Sequence, residues 1–188
     1  MSTLHVRAQR SRIIHEFSLW VAVSAARQGI KVKGHKLYPF LNSVDLATVL
    51  DPNRSWTVEE FQCWHKGQVV RLDGAASIGI GWSAKLINML LKTRVYVACE
   101  GHPSLPAVIH PPIDNFLIKH ISNRYSSADP RNAAMLRMCK GGIPITGVRT
   151  YEQYLNVIDG LSQVAKRENC TLFEVESLWS ARDADGSN

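Results

Sequence analysis

The hydrophobic residues of this chain recur mostly at intervals of three and four, and stretches that alternate polar and apolar residues are almost missing. Spacing of this kind places apolar side chains along one face of a helix. It predicts a first helix over residues 4–28 closed by Gly29, followed by an irregular connector with room for one short strand. Ser43 is predicted to cap a short helix that reaches Leu50.

Start signals for further helices follow along the rest of the chain. Three threonines stand three positions before a glutamate or a glutamine, which is the spacing of a capping box: these pairs are Thr57 with Glu60, Thr150 with Gln153, and Thr171 with Glu174. Asp114 follows Pro112 by two and stands where an N-cap is expected. Asp129 precedes a proline that suits the first helical position. About eight helices in an all-α fold are therefore predicted.

One segment, GIGWSAKLINMLLK, couples a glycine-rich turn to an apolar helix. The pattern around it predicts three consecutive elements: a helix over 58–72, a turn over 73–82 and a helix over 83–100. Gly79 and Gly81 let the backbone approach another surface, and free N–H groups at the start of the second helix suit a phosphate. The alternative is that these glycines only cap helices.

Composition narrows the function without specifying it. Lysine and arginine number 22 against 16 aspartates and glutamates, so the net charge of +6 favours an anionic partner such as nucleic acid. The four cysteines, Cys63, Cys99, Cys139 and Cys170, contain no C-x-x-C pair. We therefore expect reduced thiols in a cytoplasmic protein, with no metal site and no cofactor.

The chain is expected to form one compact helical domain over residues 1–182, with a frayed tail at 183–188. The apolar run at 17–26 is far shorter than the roughly 20 residues that a membrane span requires. A buried first helix explains that run better, so no membrane partner is expected.

The glycine turn, the lysine after it and an aspartate beyond a proline-rich loop together resemble the helix-hairpin-helix (HhH-GPD) DNA glycosylase superfamily. The matching segments are IGIG at 78–81, AK at 84–85, PPIDNFLIKHI at 111–121 and the early helix EFSLWVAVSAARQ. The resemblance covers roughly residues 10–125. Lys85 lies four residues after the second glycine rather than the usual two, and 29 residues before Asp114. That long interval is similar to the archaeal 8-oxoguanine DNA glycosylase branch, and the iron–sulfur cysteine pattern of some members is absent.

The resemblance implies two helical lobes with a cleft between them that holds double-stranded DNA with one base flipped out. Asp114 is then the carboxylate that stabilises positive charge developing on the sugar. Lys85 is the amine that attacks the sugar carbon and forms a Schiff base. The residues predicted to contact the DNA backbone are Gly79, Gly81, Ser83 and Lys92. The candidates for the base pocket are Trp82, Trp20, Tyr96 and His110.

Each of these residues also has a purely structural explanation. Asp114 is equally well explained as an ordinary N-cap, and one role does not exclude the other. Lys85, Asn88 and Lys92 form either a catalytic face or a solvated stripe of a helix. The tryptophans suit a hydrophobic core, because large aromatic side chains dominate burial energetics.

Three classes of function remain open. The first is a monomeric DNA glycosylase, with or without abasic-site lyase activity, that removes a damaged or modified base in base-excision repair or in antiviral defence against phage with modified DNA. The second is a non-catalytic helical DNA-binding protein, whose function survives loss of Asp114. The third is an interaction or regulatory protein whose positive charge is incidental, and it predicts no salt-sensitive DNA binding.

Overall fold

The computed structural model of the chain describes residues 3–26, 30, 32–140 and 145–178. Within these ranges all regular elements are helical and no strand occurs, which confirms the predicted all-α class. The α-helices are α1 (Thr3–Ala25), α2 (Tyr38–Asn42), α3 (Leu46–Val49), α4 (Val58–Ala76), α5 (Ile80–Leu91), α6 (Asn115–Arg124), α7 (Pro130–Lys140) and α8 (Tyr151–Glu168). A π-helical turn, Lys92–Val97, continues α5, and 3-10 turns lie at Gly34–Lys36, Leu105–Ala107, Ile145–Gly147 and Phe173–Leu178.

Side-chain caps begin several of these helices as the sequence predicts. Thr57 accepts a hydrogen bond from the Glu60 amide while Glu60 accepts one from the Thr57 amide, and Thr150 with Gln153 repeats this capping box at α8. Asp114 caps α6 by accepting the Leu117 N–H at 2.8 Å. Thr171 and Glu174 make the same contacts, but they begin a 3-10 turn rather than an α-helix.

Two predicted boundaries near the start of the chain are wrong. Ser43 ends α2 instead of opening a helix, and Asp45 caps the short α3 by accepting the Thr48 N–H at 3.1 Å. The connector before α2 contains a 3-10 turn and no strand among its described residues. The predicted cap at Gly29 and the tail at 183–188 lie outside the described residues.

Helix α5 runs through the centre of the packing. It contacts α1, α4 and α8, while α7 packs along α8. Its residues Leu86, Ile87, Leu90 and Leu91 are fully buried in one contiguous hydrophobic cluster. Each such side chain stabilises the fold by about 1.5–3 kcal/mol relative to an exposed position. No described helix is long and apolar enough to cross a membrane.

The turn between α4 and α5 is tighter than predicted. Helix α4 continues to Ala76, Ser77 adopts a left-handed conformation (φ 52°), and Gly79 has φ 90° at the N-cap of α5. A positive φ of this kind is readily adopted only by glycine. Helix α5 therefore begins at Ile80, three residues before the predicted start at Ser83, and the predicted helix to residue 100 ends in the π-helical turn.

Gly81 lies where α5 meets the turn at Ile145–Gly147. A Cβ atom at this position would lie 2.2 Å from the carbonyl oxygen of Ile145. We expect Gly81→Ala to lower the free energy of unfolding by about 1–3 kcal/mol, because backbone must move to admit the methyl group.

Helix α4 offers matched controls for this substitution. A Cβ atom at Gly67 or Gly74 would meet open space. Gly67→Ala and Gly74→Ala are therefore expected to raise stability by roughly 0.5–1 kcal/mol through helix propensity alone. Urea unfolding followed by circular dichroism measures all three variants, and a Gly81→Ala protein as stable as the controls would contradict the contact with Ile145.

Candidate active site

Lys85 and Asp114 lie side by side, although 29 residues separate them along the chain. The Nζ atom of Lys85 is 3.6 Å from the Oδ2 atom of Asp114. Lys85 projects from the second turn of α5, and Asp114 stands at the start of α6 after the proline-rich loop. The proline-rich loop thus returns the chain to α5, where the two side chains form an ion pair.

The two oxygens of Asp114 do different things. Oδ1 accepts the Leu117 N–H and caps α6, which leaves Oδ2 facing the Lys85 ammonium. The structural and the chemical explanations of this aspartate are thus compatible within one side chain. The cap also fixes the carboxylate, because a side chain held at one oxygen cannot rotate freely.

The Lys85–Asp114 pair is largely buried but remains in contact with solvent. The Lys85 side chain is 11% exposed and the Asp114 side chain is 27% exposed. The Lys85 Nζ also lies 5.2 Å from the centroid of the Trp82 ring, within the range of a cation–π contact. Trp82 is therefore the one base-pocket candidate that directly contacts Lys85.

Comparison with known proteins adds no family. No protein-family model, curated protein or solved structure matches this chain.

A buried polar network adjoins the pair on the core side of α5. Asn88, one turn after Lys85, is fully buried and donates from Nδ2 to the Pro111 carbonyl and to the Tyr154 hydroxyl, both at 3.0 Å. Its Oδ1 lies 2.9 Å from Nε2 of His65. Because the amide oxygen can only accept, His65 donates its Nε2–H to Asn88.

This assignment fixes the hydrogen bonds of the neighbouring rings. With Nε2 protonated, a neutral His65 can only accept at Nδ1, so the single proton of the Tyr151 hydroxyl is shared between His65 Nδ1 at 2.8 Å and the Gln62 carbonyl at 3.2 Å. The Tyr154 hydroxyl accepts from Asn88 and donates to Nδ1 of His110 at 2.9 Å. Burial keeps both histidines neutral, because it lowers the pKa of His65 to about 3 and that of His110 well below its usual value.

The hairpin glycines do not present free amides to a ligand. The Gly79 N–H donates to Oδ1 of Asp73 at 2.6 Å, and the Gly81 N–H points to the Val148 carbonyl at 3.4 Å. Ser83 is fully buried, and its hydroxyl has no hydrogen-bond partner among the residues that the structure describes. Asp73 thus occupies a position where the sequence predicts a phosphate, and its role is not apparent from the local sequence pattern.

The remaining predicted site residues contact partners other than Lys85 and Asp114. Lys92 pairs with Glu176 at 2.5 Å. Trp20 is half-exposed on α1 and stacks on Phe17, with ring centroids 5.8 Å apart. Tyr96 stacks on Phe173, with ring centroids 3.9 Å apart.

His110 is buried and borders a cavity of about 290 Å³ that Gln62 and Ser162 also line.

Sequence reasoning missed the buried network. Asn88 was expected on the same stripe as Lys85 and Lys92, yet the structure buries it completely. A polar residue three positions after Lys85, flanked by apolar residues, is compatible with either location. His65 and Tyr154 carry no distinctive spacing, so only the packing of α4 and α8 against α5 identifies them. Among the described residues, no cluster of three or more His, Cys, Asp or Glu could hold a metal ion.

Proposed function

We propose that this protein is a DNA N-glycosylase that removes a damaged or modified base and carries an abasic-site lyase step on Lys85. The observation that supports this proposal is the 3.6 Å approach of the Lys85 amine to the Asp114 carboxylate at a partly covered surface. An amine and a carboxylate held together are the two groups that Schiff-base glycosidic cleavage uses.

The chemistry follows from what each group does as the bond between sugar and base breaks. The electron pair of the C1′–N bond leaves with the base, so positive charge develops on the sugar. Asp114, fixed by its cap on Leu117, presents a negative Oδ2 to that charge. Simple excision then needs only a water molecule to add to C1′.

Lys85 supplies the lyase branch of the reaction. The Lys85 ammonium must first give up a proton, and Asp114 Oδ2, 3.6 Å from Nζ, is positioned to accept it. The freed Nζ lone pair then forms a bond to C1′ as the C1′–N bond breaks, and the departing base takes a proton from Nζ. The nitrogen finally expels O4′ from C1′, O4′ takes the proton held by Asp114, and the ring opens to the protonated imine. The imine then acidifies the neighbouring sugar carbon, which leads to strand cleavage.

The proposal that DNA is the substrate rests on the net positive charge of the protein. It does not rest on phosphate binding by the amides of the hairpin. The net charge of +6 favours a polyanion, whereas the amides of Gly79 and Gly81 are already bonded within the protein. The Trp82 ring lies beside the Lys85 amine but is 8% exposed, so it does not itself offer an open surface on which a base could stack. Both 8-oxoguanine and a modified phage cytosine remain in the proposal, as do repair and antiviral defence.

The test of excision is a panel of duplexes that each carry one modified base, together with phage genomic DNA that contains modified cytosine. After incubation, alkali converts abasic sites into strand breaks that are resolved by electrophoresis. Breaks with one or more substrates are expected from the wild-type protein. Failure on every substrate, combined with salt-sensitive DNA binding, would favour the non-catalytic DNA-binding protein instead.

The lyase step has a separate test that needs no knowledge of the base. A duplex with a preformed abasic site is incubated with the protein and borohydride, which reduces an imine to a stable protein–DNA adduct. We expect Lys85→Gln to abolish this adduct, because it removes the amine. Lys92→Gln is the matched control, since Lys92 pairs with Glu176 instead of Asp114. Loss of trapping in the Lys92 variant alone would reassign the reactive amine.

A further inference from the structure

The Asn88 side chain ties the helix that carries Lys85 to the loop that carries Asp114. It lies three residues after Lys85 on α5, and its Nδ2 donates to the carbonyl of Pro111, three residues before Asp114, at 3.0 Å. The contact therefore bridges the two chain segments whose separation sets the Lys85–Asp114 distance.

The backbone between Pro111 and Asp114 is restricted in conformation, so the position of the Pro111 carbonyl affects the position of Asp114. Pro111 and Pro112 have restricted backbone φ angles, and Ile113 is buried in the core. Asp114 follows at once and is itself held by its cap on Leu117. A displacement of the Pro111 carbonyl is thus carried to the Asp114 carboxylate rather than absorbed between them.

The network around Asn88 holds its amide in one orientation. His65 Nε2–H donates to Oδ1, so the amide cannot turn over without placing two donors against each other. Nδ2 is thereby directed to Pro111 and Tyr154. A buried amide with all three contacts formed is costly to disrupt, because each lost partner leaves a desolvated polar group.

We infer that Asn88 is a positioning residue that holds Lys85 and Asp114 within reach of each other by clamping the carbonyl of Pro111. This inference rests on the proposed function for its catalytic consequence, while the clamp itself is a property of the fold. Asn88 is buried away from solvent and acts through the loop, not by touching substrate.

The test compares two variants that remove the Asn88 amide, and with it all three of its hydrogen bonds, with a control that keeps the Pro111 contact. Asn88→Leu removes the contact with Pro111 at similar side-chain volume, and Asn88→Ser provides a second variant whose hydroxyl is too short to reach that carbonyl. Tyr154→Phe is the matched control, because it removes the other acceptor of Nδ2 and leaves the Pro111 contact in place.

Two measurements are made on folded protein. The first is the single-turnover rate of base excision at saturating protein, alongside the Kd for DNA. The Asn88 variants are expected to lose roughly a hundredfold in rate with little change in Kd, since misplacement of a reacting group by about 1 Å has this effect. Tyr154→Phe is expected to stay near the wild-type rate. Equal losses in the Asn88 and Tyr154 variants would overturn the inference, because a merely structural role affects both.

The second measurement does not depend on enzyme activity. Brief acetylation followed by mass spectrometry gives the labelling rate of Lys85 relative to Lys66, whose side chain is 53% exposed. Release of the loop is expected to raise the relative rate at Lys85 severalfold in the Asn88 variants and not in Tyr154→Phe. An unchanged rate at Lys85 overturns the clamp. Faster labelling in a protein that excises no base supports the clamp and removes only the glycosylase proposal.

Discussion

Asp114→Asn is expected to slow base excision by about a hundredfold or more while the protein stays folded. The substitution removes the negative charge that faces the Lys85 amine and that, in the proposed reaction, faces the developing charge on the sugar. Loss of one preorganised electrostatic group has an effect of this size. Asparagine is also a good N-cap. Its side-chain oxygen can still accept the Leu117 N–H, so α6 keeps its start.

The control for this variant is Asp45→Asn. Asp45 caps α3 through the Thr48 N–H in the same way, yet no described lysine forms an ion pair with it. Single-turnover excision and thermal unfolding are measured for both variants. The expected pattern is a large rate loss confined to Asp114→Asn with small changes in Tm for both. Wild-type excision by Asp114→Asn would remove this residue from the site.

Acidification from pH 7 to pH 5 is expected to lower the free energy of unfolding by about 4 kcal/mol, through His65 and His110. Burial lowers the pKa of His65 to about 3 and that of His110 well below its usual value. In the unfolded chain both rings titrate near pH 6.5, so below that pH the unfolded state binds protons that the folded state excludes. Each ring then contributes about 1.4 kcal/mol per pH unit. The contribution of the two neutral rings to the free energy of unfolding is fully present above about pH 6.5. It is lost progressively as the pH falls toward the pKa values of these rings in the folded protein.

Urea unfolding at several pH values between 7 and 5 measures this slope, in a window above the range where carboxylates usually titrate. His65→Gln is the informative variant, because glutamine keeps one donor and one acceptor but does not titrate. This variant is expected to reduce the change in the free energy of unfolding per pH unit by about 1.4 kcal/mol, which corresponds to one proton. That reduction does not depend on the stability of the variant at pH 7. A slope near zero in the wild type would mean that the two histidines accept protons in the folded protein.

The sequence was sufficient for the helical class and for those helix starts that depend on a local cap. Thr57, Thr150 and Asp114 bond to amides three residues away, so their spacing alone carries the signal. Ser43 was misassigned because Asp45, two residues later, competes for the same role. The end of α4 was placed too early because Ser77 takes a left-handed conformation that glycine more often supplies.

The candidate site was only partly predictable for a different reason. The sequence analysis selected Lys85 and Asp114 from a resemblance, and the structure places these two side chains in contact. The N–H groups of Gly79 and Gly81 are hydrogen-bonded to Asp73 and Val148. Tertiary packing brings these partners close, so the spacing of residues in the sequence does not predict the contacts. The same holds for Asn88, whose burial is decided by α4 and α8 packing against α5.

The π-helical turn at Lys92–Val97 has a consequence for the length of the chain between Lys85 and Asp114. A turn of this kind holds one more residue than an α-helical turn, as if one residue had been inserted into α5. The wide turn absorbs this residue locally, so its loss together with the wide turn would leave the proline-rich loop in register with Lys85. Evolutionary relatives that share the site but lack the wide turn should therefore have a shorter lysine-to-aspartate interval by one residue. In an alignment with such relatives, the one-residue gap is expected to fall within residues 92–97 and not in the proline-rich loop.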